Sequence, residues 1–134
     1  MEIKSENEQK PGYEVLAETE ERVILFAAAM DGVEVSETEK SLDELEELLK
    51  TAGAQSVGRL IQSRDRAASD LYLGRGKVEE LRSMIAMYDA TGVVCDDELS
   101  PAQLMNLQDA LEIKVMDRTI VILDIFAAHA GSYE

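Results

Sequence analysis

The 134-residue sequence contains one cysteine, two prolines, one histidine and no tryptophan, and its 13 Lys and Arg are outnumbered by 28 Asp and Glu. A single cysteine, Cys95, excludes an internal disulfide and a cysteine metal cluster, and a reducing cytoplasm fits it best. The lone histidine, His129, has no serine or cysteine at a spacing that would build a catalytic triad. The shortage of positive charge leaves a formal net charge of -15 and a pI near 4.4. That excludes a generic nucleic-acid coat, because neutralising phosphates over a broad face needs clustered cations in excess. Long hydrophobic runs are missing too: the most apolar stretches, at 23–30 and 120–128, fall far short of the roughly 18–20 residues that span a bilayer. The N-terminus is acidic, unlike a signal peptide.

What is present is an ordinary globular composition, 46% hydrophobic and 31% charged, of a length that suits one domain. Residues 1–12 are polar, hold Pro11 and lack an apolar period, so they read as a flexible lead-in. The domain is predicted over 13–130, with 131–134 as a tail. Within it, short apolar or β-branched runs alternate with segments of helical period, the pattern of repeated strand-helix units and of a largely parallel sheet. Four units are expected, giving an α/β fold with a mostly parallel four-stranded sheet and helices on both faces.

The first strand is predicted at 22–29, continuous enough to be covered on both faces. Its helix follows at 40–51, where Leu42, Leu45, Leu48 and Leu49 recur at helical steps, with Ser41 and Glu44 as a capping box and Gly53 at the C-terminal end. The second unit places a strand at 55–62 and a helix at 77–89. The third places a strand at 92–96 and a helix starting at Ser100-Pro101. The fourth places a strand at 113–116 and a last apolar segment at 119–130, capped by Asp117 or Thr119. Its β-branched run Ile120-Val121-Ile122 favours a strand locally, but only a helix continues the alternation. Such an apolar helix either packs fully under the domain or leads into further structure.

In open parallel sheets, ligands meet the carboxyl ends of the strands, and here the residues after each predicted strand are charged. Between Arg59 and Lys77 lie five cations (Arg59, Arg64, Arg66, Arg75, Lys77) and two anions (Asp65, Asp70). This local excess inside an acidic chain points to an anion such as phosphate or RNA backbone, or to simple pairing with the surrounding acids. The stretch Tyr72-Leu73-Gly74-Arg75-Gly76-Lys77 stands directly before a helix, where glycine backbone and free amides can hold an anion. It is not a nucleotide-hydrolysing P-loop: Leu71 stands where the first glycine belongs and Val78 where Ser or Thr would hold magnesium. Asp96 and Asp97 invite a receiver-domain reading, which the single Asp31 after the first strand and Arg118 after the fourth argue against. Cys95 is expected to be a buried small hydrophobe, and the six methionines core filler.

Three blocks, read in order, resemble a known family: Tyr72-Leu73-Gly74-Arg75-Gly76-Lys77-Val78-Glu79-Glu80-Leu81, then Asp96-Asp97-Glu98-Leu99-Ser100-Pro101-Ala102-Gln103 with Asn106-Leu107, then Asp117-Arg118-Thr119 with 122–127. With Ser41-Leu42-Asp43-Glu44-Leu45 and Ala52-Gly53-Ala54 upstream, the sequence over about 20–130 is similar to the N-terminal domain of the HflX family of GTPases. The resemblance implies a cytoplasmic, translation-associated protein that binds the large ribosomal subunit and splits stalled ribosomes under stress. It also implies a helical hairpin and a G domain beyond Glu134, so GTP and magnesium would belong there and these 134 residues would not hydrolyse GTP. A further adenine-nucleotide (ATP) site is implied for the N-terminal region, with the loop 74–77 as its candidate. Met105 and His129 stand where arginines are common in the family, which removes positive surface and, with the charge of -15, favours a spacer and regulator that positions the other parts.

The resulting expectation is a non-catalytic ribosome-interaction and regulatory module, with Arg64, Arg66, Arg75 and Lys77 on a common rim touching rRNA phosphate and Gly74 and Gly76 shaping the loop. Its partners would be the large subunit and the protein's own hairpin and G domain, with no membrane. The alternatives are a small-molecule or adenine-nucleotide module, and protein docking through the last apolar segment.

Overall fold

The structure, a computed structural model, describes residues 21–30, 33–64 and 70–132, without the side chains of Met30, Arg64 and 126–132. The predicted lead-in at 1–12 and Arg66 lie outside the described residues. In chain order the elements are β1 (Glu21–Met30), α1 (Val35–Thr51), β2 (Ala54–Arg64), α2 (Arg75–Tyr88), β3 (Gly92–Cys95), α3 (Pro101–Leu111), β4 (Lys114–Asp117) and α4 (Arg118–Ser132). All strand pairings are parallel and the sheet order is β2-β1-β3-β4. The expected α/β architecture is therefore present.

β1 forms the centre because its apolar run has no polar face to offer water. Val23, Leu25 and Ala27 point to one side, where they pack with Leu42, Leu45 and Leu49 of α1 and Val121 of α4. Ile24, Phe26 and Ala28 point to the other, against Val78 and Leu81 of α2 and Leu107 and Leu111 of α3. The alternation of a strand thus serves two cores at once. Phe26, Ile24 and Leu25 are wholly excluded from solvent.

α1 begins at Val35, about five residues ahead of the expectation, with Glu34 at the N-cap position and no side-chain cap. Ser41 is interior to the helix rather than its cap, and its oxygens serve another partner described below. Gly53 follows the helix at φ 87°, the left-handed conformation that closes a helix end and that side chains resist. α3 starts as expected at Pro101, and Ser100 forms a complete capping box: Gln103 N donates to Ser100 Oγ at 3.1 Å and Ser100 N to Gln103 Oε1 at 3.0 Å. The 119–130 segment is helical, and its described side chains, up to Ile125, are unequally buried. Val121 is buried while Leu123 is 61% exposed. Among the described residues no helix is long and apolar enough to cross a membrane.

Candidate functional site

Because the sheet order reverses between β1 and β3, the carboxyl ends of the strands form the rim on which this fold presents ligand contacts. Three interlocks build that rim. The first is Tyr72, held at φ 67°, with Leu73 N donating to Leu71 O at 2.6 Å across it. This is a γ-turn with a positive central φ, a strained conformation for a residue that carries a side chain. It persists because the ring is fixed elsewhere. The ring is 4% exposed and meets Phe26 edge-on, with centroids 5.9 Å apart. Its hydroxyl accepts from Ala28 N at 2.8 Å and donates to Asp97 Oδ2 in a short hydrogen bond. Burial first, then the neighbouring Cys95 and the bond to Asp97, hold the phenol far above its ordinary value.

The second interlock is Arg118. Its Nη2 donates to Asp96 Oδ1 at 2.6 Å, to Ser41 O at 2.8 Å and to Ser41 Oγ at 3.1 Å. The third is Asp117, 3% exposed, whose Oδ1 accepts from Ile120 N at 2.9 Å as the cap of α4 and whose Oδ2 accepts from Leu99 N at 2.8 Å. Asn106 adds a bond from Nδ2 to Asp70 O at 3.1 Å, tying α3 to the loop before α2. The sequence blocks around 72, 96–106 and 117–118 are therefore partners of one another. Asp96 and Asp97 hold the rim together through Arg118 and Tyr72 rather than standing as a free acidic pair.

The candidate cations fall into distinct groups. Arg59 is drawn away from the rim by α1: its Nη2 lies 2.7 Å from Asp43 Oδ1 and 2.8 Å from Glu46 Oε1. For this cation, pairing with the acidic excess is what the structure shows. Lys77 pairs with Glu80 at 3.1 Å, one helical turn away and exposed, an interaction worth about 0–1 kcal/mol and easily exchanged. Arg75 is exposed and makes no hydrogen bond or ion pair to a described residue. Arg64 ends β2, whose loop returns to open α2 at the same rim, where Gly74 N donates to Gln62 Oε1 at 2.8 Å.

The glycines do not make the tight turn expected of them. Gly74 has φ -70°, Gly53 is the described glycine with positive φ, and Tyr72 bends the chain instead. Gly74 occupies the N-cap position of α2 without a side-chain cap, and the first turn holds no acidic residue. The opening amides of α2 thus keep their donors and partial positive charge, flanked by Arg75 and Lys77. A Cβ on Gly76 would meet nothing within 4 Å, so packing does not demand glycine there. Cys95 is wholly buried, and burial raises its thiol well above the ordinary range, which makes it an inert core residue as expected.

A family model described as GTP-binding GTPase N-terminal matches residues 39–127. The protein called GTPase HflX of Lacrimispora saccharolytica is 59% identical over 119 residues, 89% of this chain. This chain belongs to the HflX family. Its HflX relatives in Caldanaerobacter subterraneus subsp. tengcongensis and Escherichia coli are 44% and 37% identical, over 90% and 71% of the chain. The chain spans less than a third of the length of these relatives, 28%, 27% and 22% respectively. The HflX domain also shares its fold with a solved GTP-binding protein of Sulfolobus solfataricus in complex with GDP, at TM-score 0.58 and 16% identity over 80% of this chain and 30% of that one.

Sequence reasoning missed Tyr72 and Arg118 as organisers of this rim. The available signal was charge complementarity: the Asp-Asp that follows one strand answers the Asp-Arg that follows the next.

Proposed function

We propose that this chain is the non-catalytic N-terminal domain through which an HflX-type GTP-binding protein touches the large ribosomal subunit and regulates its own G domain. The observation that carries this reading is the uncapped start of α2. The opening backbone amides, Arg75, which has no partner among the described residues, and the readily freed Lys77 all belong to the first turn of α2 around Gly76, whose bare surface no internal neighbour requires. Phosphate oxygens of rRNA are matched acceptors for such a group. Arg64 and Arg66, which precede this loop in sequence, are assigned to the same phosphate contact; Gly74 leads the chain into it, and because its own N–H is given to Gln62 Oε1 the first open amide of α2 is that of Arg75.

The contact is narrow, which suits a chain of charge -15: a few phosphates are engaged locally while the rest of the surface repels RNA. The domain therefore positions and regulates more than it anchors. In the intact protein, GTP and magnesium belong to the G domain, the helical hairpin and G domain are the intramolecular partners, and the setting is cytoplasmic, with large-subunit binding serving ribosome splitting or rescue under stress.

The test replaces Arg75 and Lys77 by Ala in an intact protein and measures co-sedimentation with large subunits at several salt concentrations. Affinity should fall, and the dependence of log K on log salt should flatten by about one to two units, as expected for two lost phosphate contacts. Unchanged affinity and slope would remove the proposal.

A further inference from the structure

α4 differs from α1 in what it offers to water. α1 buries Leu42, Leu45 and Leu49 and turns Asp43, Glu44, Glu47 and Lys50 outward, as a helix on the surface of a domain does. The sequence of α4 has no such polar side. In a chain of which 31% of residues are charged, its 15 residues hold Arg118, Asp124 and His129 as ionisable groups, and Arg118 is taken up by Asp96 and Ser41 at the rim. Val121 is buried and Ile125 packs with it against the core beneath α1. Leu123, on the opposite side of the helix from Val121, is largely exposed, and Ile120 and Ile122 are half-buried. A helix that is apolar all round is one that has neighbours all round.

The helix also outruns the strand it follows. α4 starts directly after β4 and doubles back along it, so that Asp124 lines the same small hollow as Lys114, the first residue of β4. The turns that remain, as far as Ser132, extend past the start of β4, each residue adding about 1.5 Å. In sequence they hold Phe126, Ala127, Ala128 and Ala130, so the apolar composition continues along the part of the helix that β4 does not support.

Charge and chain length select what covers this face. A second copy would bring another net charge of -15 against the first. A membrane surface favours helices whose polar side is rich in Lys and Arg, and α4 offers only Arg118, which is already engaged. The rest of the protein meets neither obstacle. This chain spans only 28% of its HflX relative in Lacrimispora saccharolytica, and the family model that matches it is that of an N-terminal part. Polypeptide that continues from the end of α4 is tethered beside the exposed face, at an effective concentration on the order of millimolar, so even a modest apolar contact would be filled. We propose that the outward face of α4, around Leu123 and Ile120, is an intramolecular docking surface covered by apolar side chains of the polypeptide that follows residue 134 in the intact protein. The inference rests on reading the chain as the N-terminal domain of an HflX-type protein, and it is independent of the phosphate contact at α2.

The experiment compares amide hydrogen exchange of peptides spanning 119–132 in the 134-residue chain and in an intact HflX protein that carries this domain, both free of ribosomes. Exchange in these peptides should be about tenfold or more slower in the intact protein, and the slowing should exceed that in peptides of α2, on the other face of the sheet. Leu123→Glu should leave the urea midpoint of the 134-residue chain unchanged, because the exposed side chain touches little within the domain, and should abolish the extra protection in the intact protein. Leu123→Met, which keeps an apolar side chain of similar volume, should retain that protection. Equal exchange of 119–132 in the two proteins, or extra protection that survives Leu123→Glu, would overturn the docking surface. A lowered midpoint of the 134-residue Leu123→Glu chain would show that Leu123 is held inside the domain and would equally overturn it. Protection in the 134-residue chain that grows with its concentration, together with a dimer in sedimentation, would assign the face to a second copy instead. Since no ribosome enters the measurement, failure of the phosphate contact at α2 would leave these outcomes unchanged.

Discussion

Arg118 Nη2 stands 2.6 Å from Asp96 Oδ1 and 2.8 Å from the carbonyl of Ser41, so a single guanidinium joins the start of α4, the end of β3 and the body of α1. The Asp96 side chain is only 8% exposed and that of Arg118 is 25% exposed. Most of the energetic consequence lies in what happens when one partner is removed. Arg118→Ala leaves a nearly buried carboxylate without its cation and should lower stability by about 2–4 kcal/mol, read from the midpoint of urea unfolding at unchanged slope. Arg118→Lys should recover less than half of the loss, because a point charge does not span three acceptors.

The strained turn at Tyr72 is held by its hydroxyl. Tyr72→Phe keeps the ring against Phe26 but leaves the Ala28 amide without an acceptor and Asp97 without a donor. A loss of about 1–3 kcal/mol is expected, again by urea unfolding. Dispersion of the Gly74 and Gly76 amide resonances should fall at the same time, because the turn that leads into α2 has lost its anchor.

Both Tyr72 and Cys95 have folded-state pKa values raised by burial above their ordinary values near 10 and 9. The folded state therefore keeps protons that the unfolded chain releases, so these groups contribute stability that is complete below the unfolded values and declines as pH rises beyond them. Stability should be level with respect to these two groups through neutral pH, begin to fall above about pH 8.5 as the unfolded thiol ionises, and fall more steeply above about pH 10. Unfolding midpoints recorded from pH 7 to 11 check this. The steeper limb should be reduced in Tyr72→Phe. In the folded protein Cys95 should react with a thiol reagent only at the rate of global opening.

Much of this architecture is legible in sequence. The run Val23 to Ala29 announces a doubly covered strand, and Ser100-Pro101 with Gln103 announces the helix it starts, because each signal lies within a few residues of the structure it specifies. The start of α1 was less legible: Val35 to Thr38 shows no apolar stripe, no side chain caps it, and of these four residues only Thr38 is buried. Ser41 looked like a cap because it precedes the leucine period, yet its hydroxyl is taken by Arg118, 77 residues away. The rim suffers the same limit. Gly74 and Gly76 attracted attention as turn formers, but the turn belongs to Tyr72, whose strain is stabilised by Ala28 and Asp97 from elsewhere in the chain.

Gly76 offers the sharpest separation of stability from function. Glycine within a helix is less stable than alanine by about 0.5–1 kcal/mol, and a Cβ here would meet no internal neighbour. Gly76→Ala should therefore raise the urea midpoint slightly. If the start of α2 meets rRNA phosphate closely, the same methyl group intrudes on the approach, and large-subunit affinity of the intact protein should drop several-fold. A domain that becomes both more stable and no weaker in binding would show that the bare backbone at Gly76 faces solvent rather than a ligand, and would move the phosphate contact to Arg75 and Lys77 side chains alone.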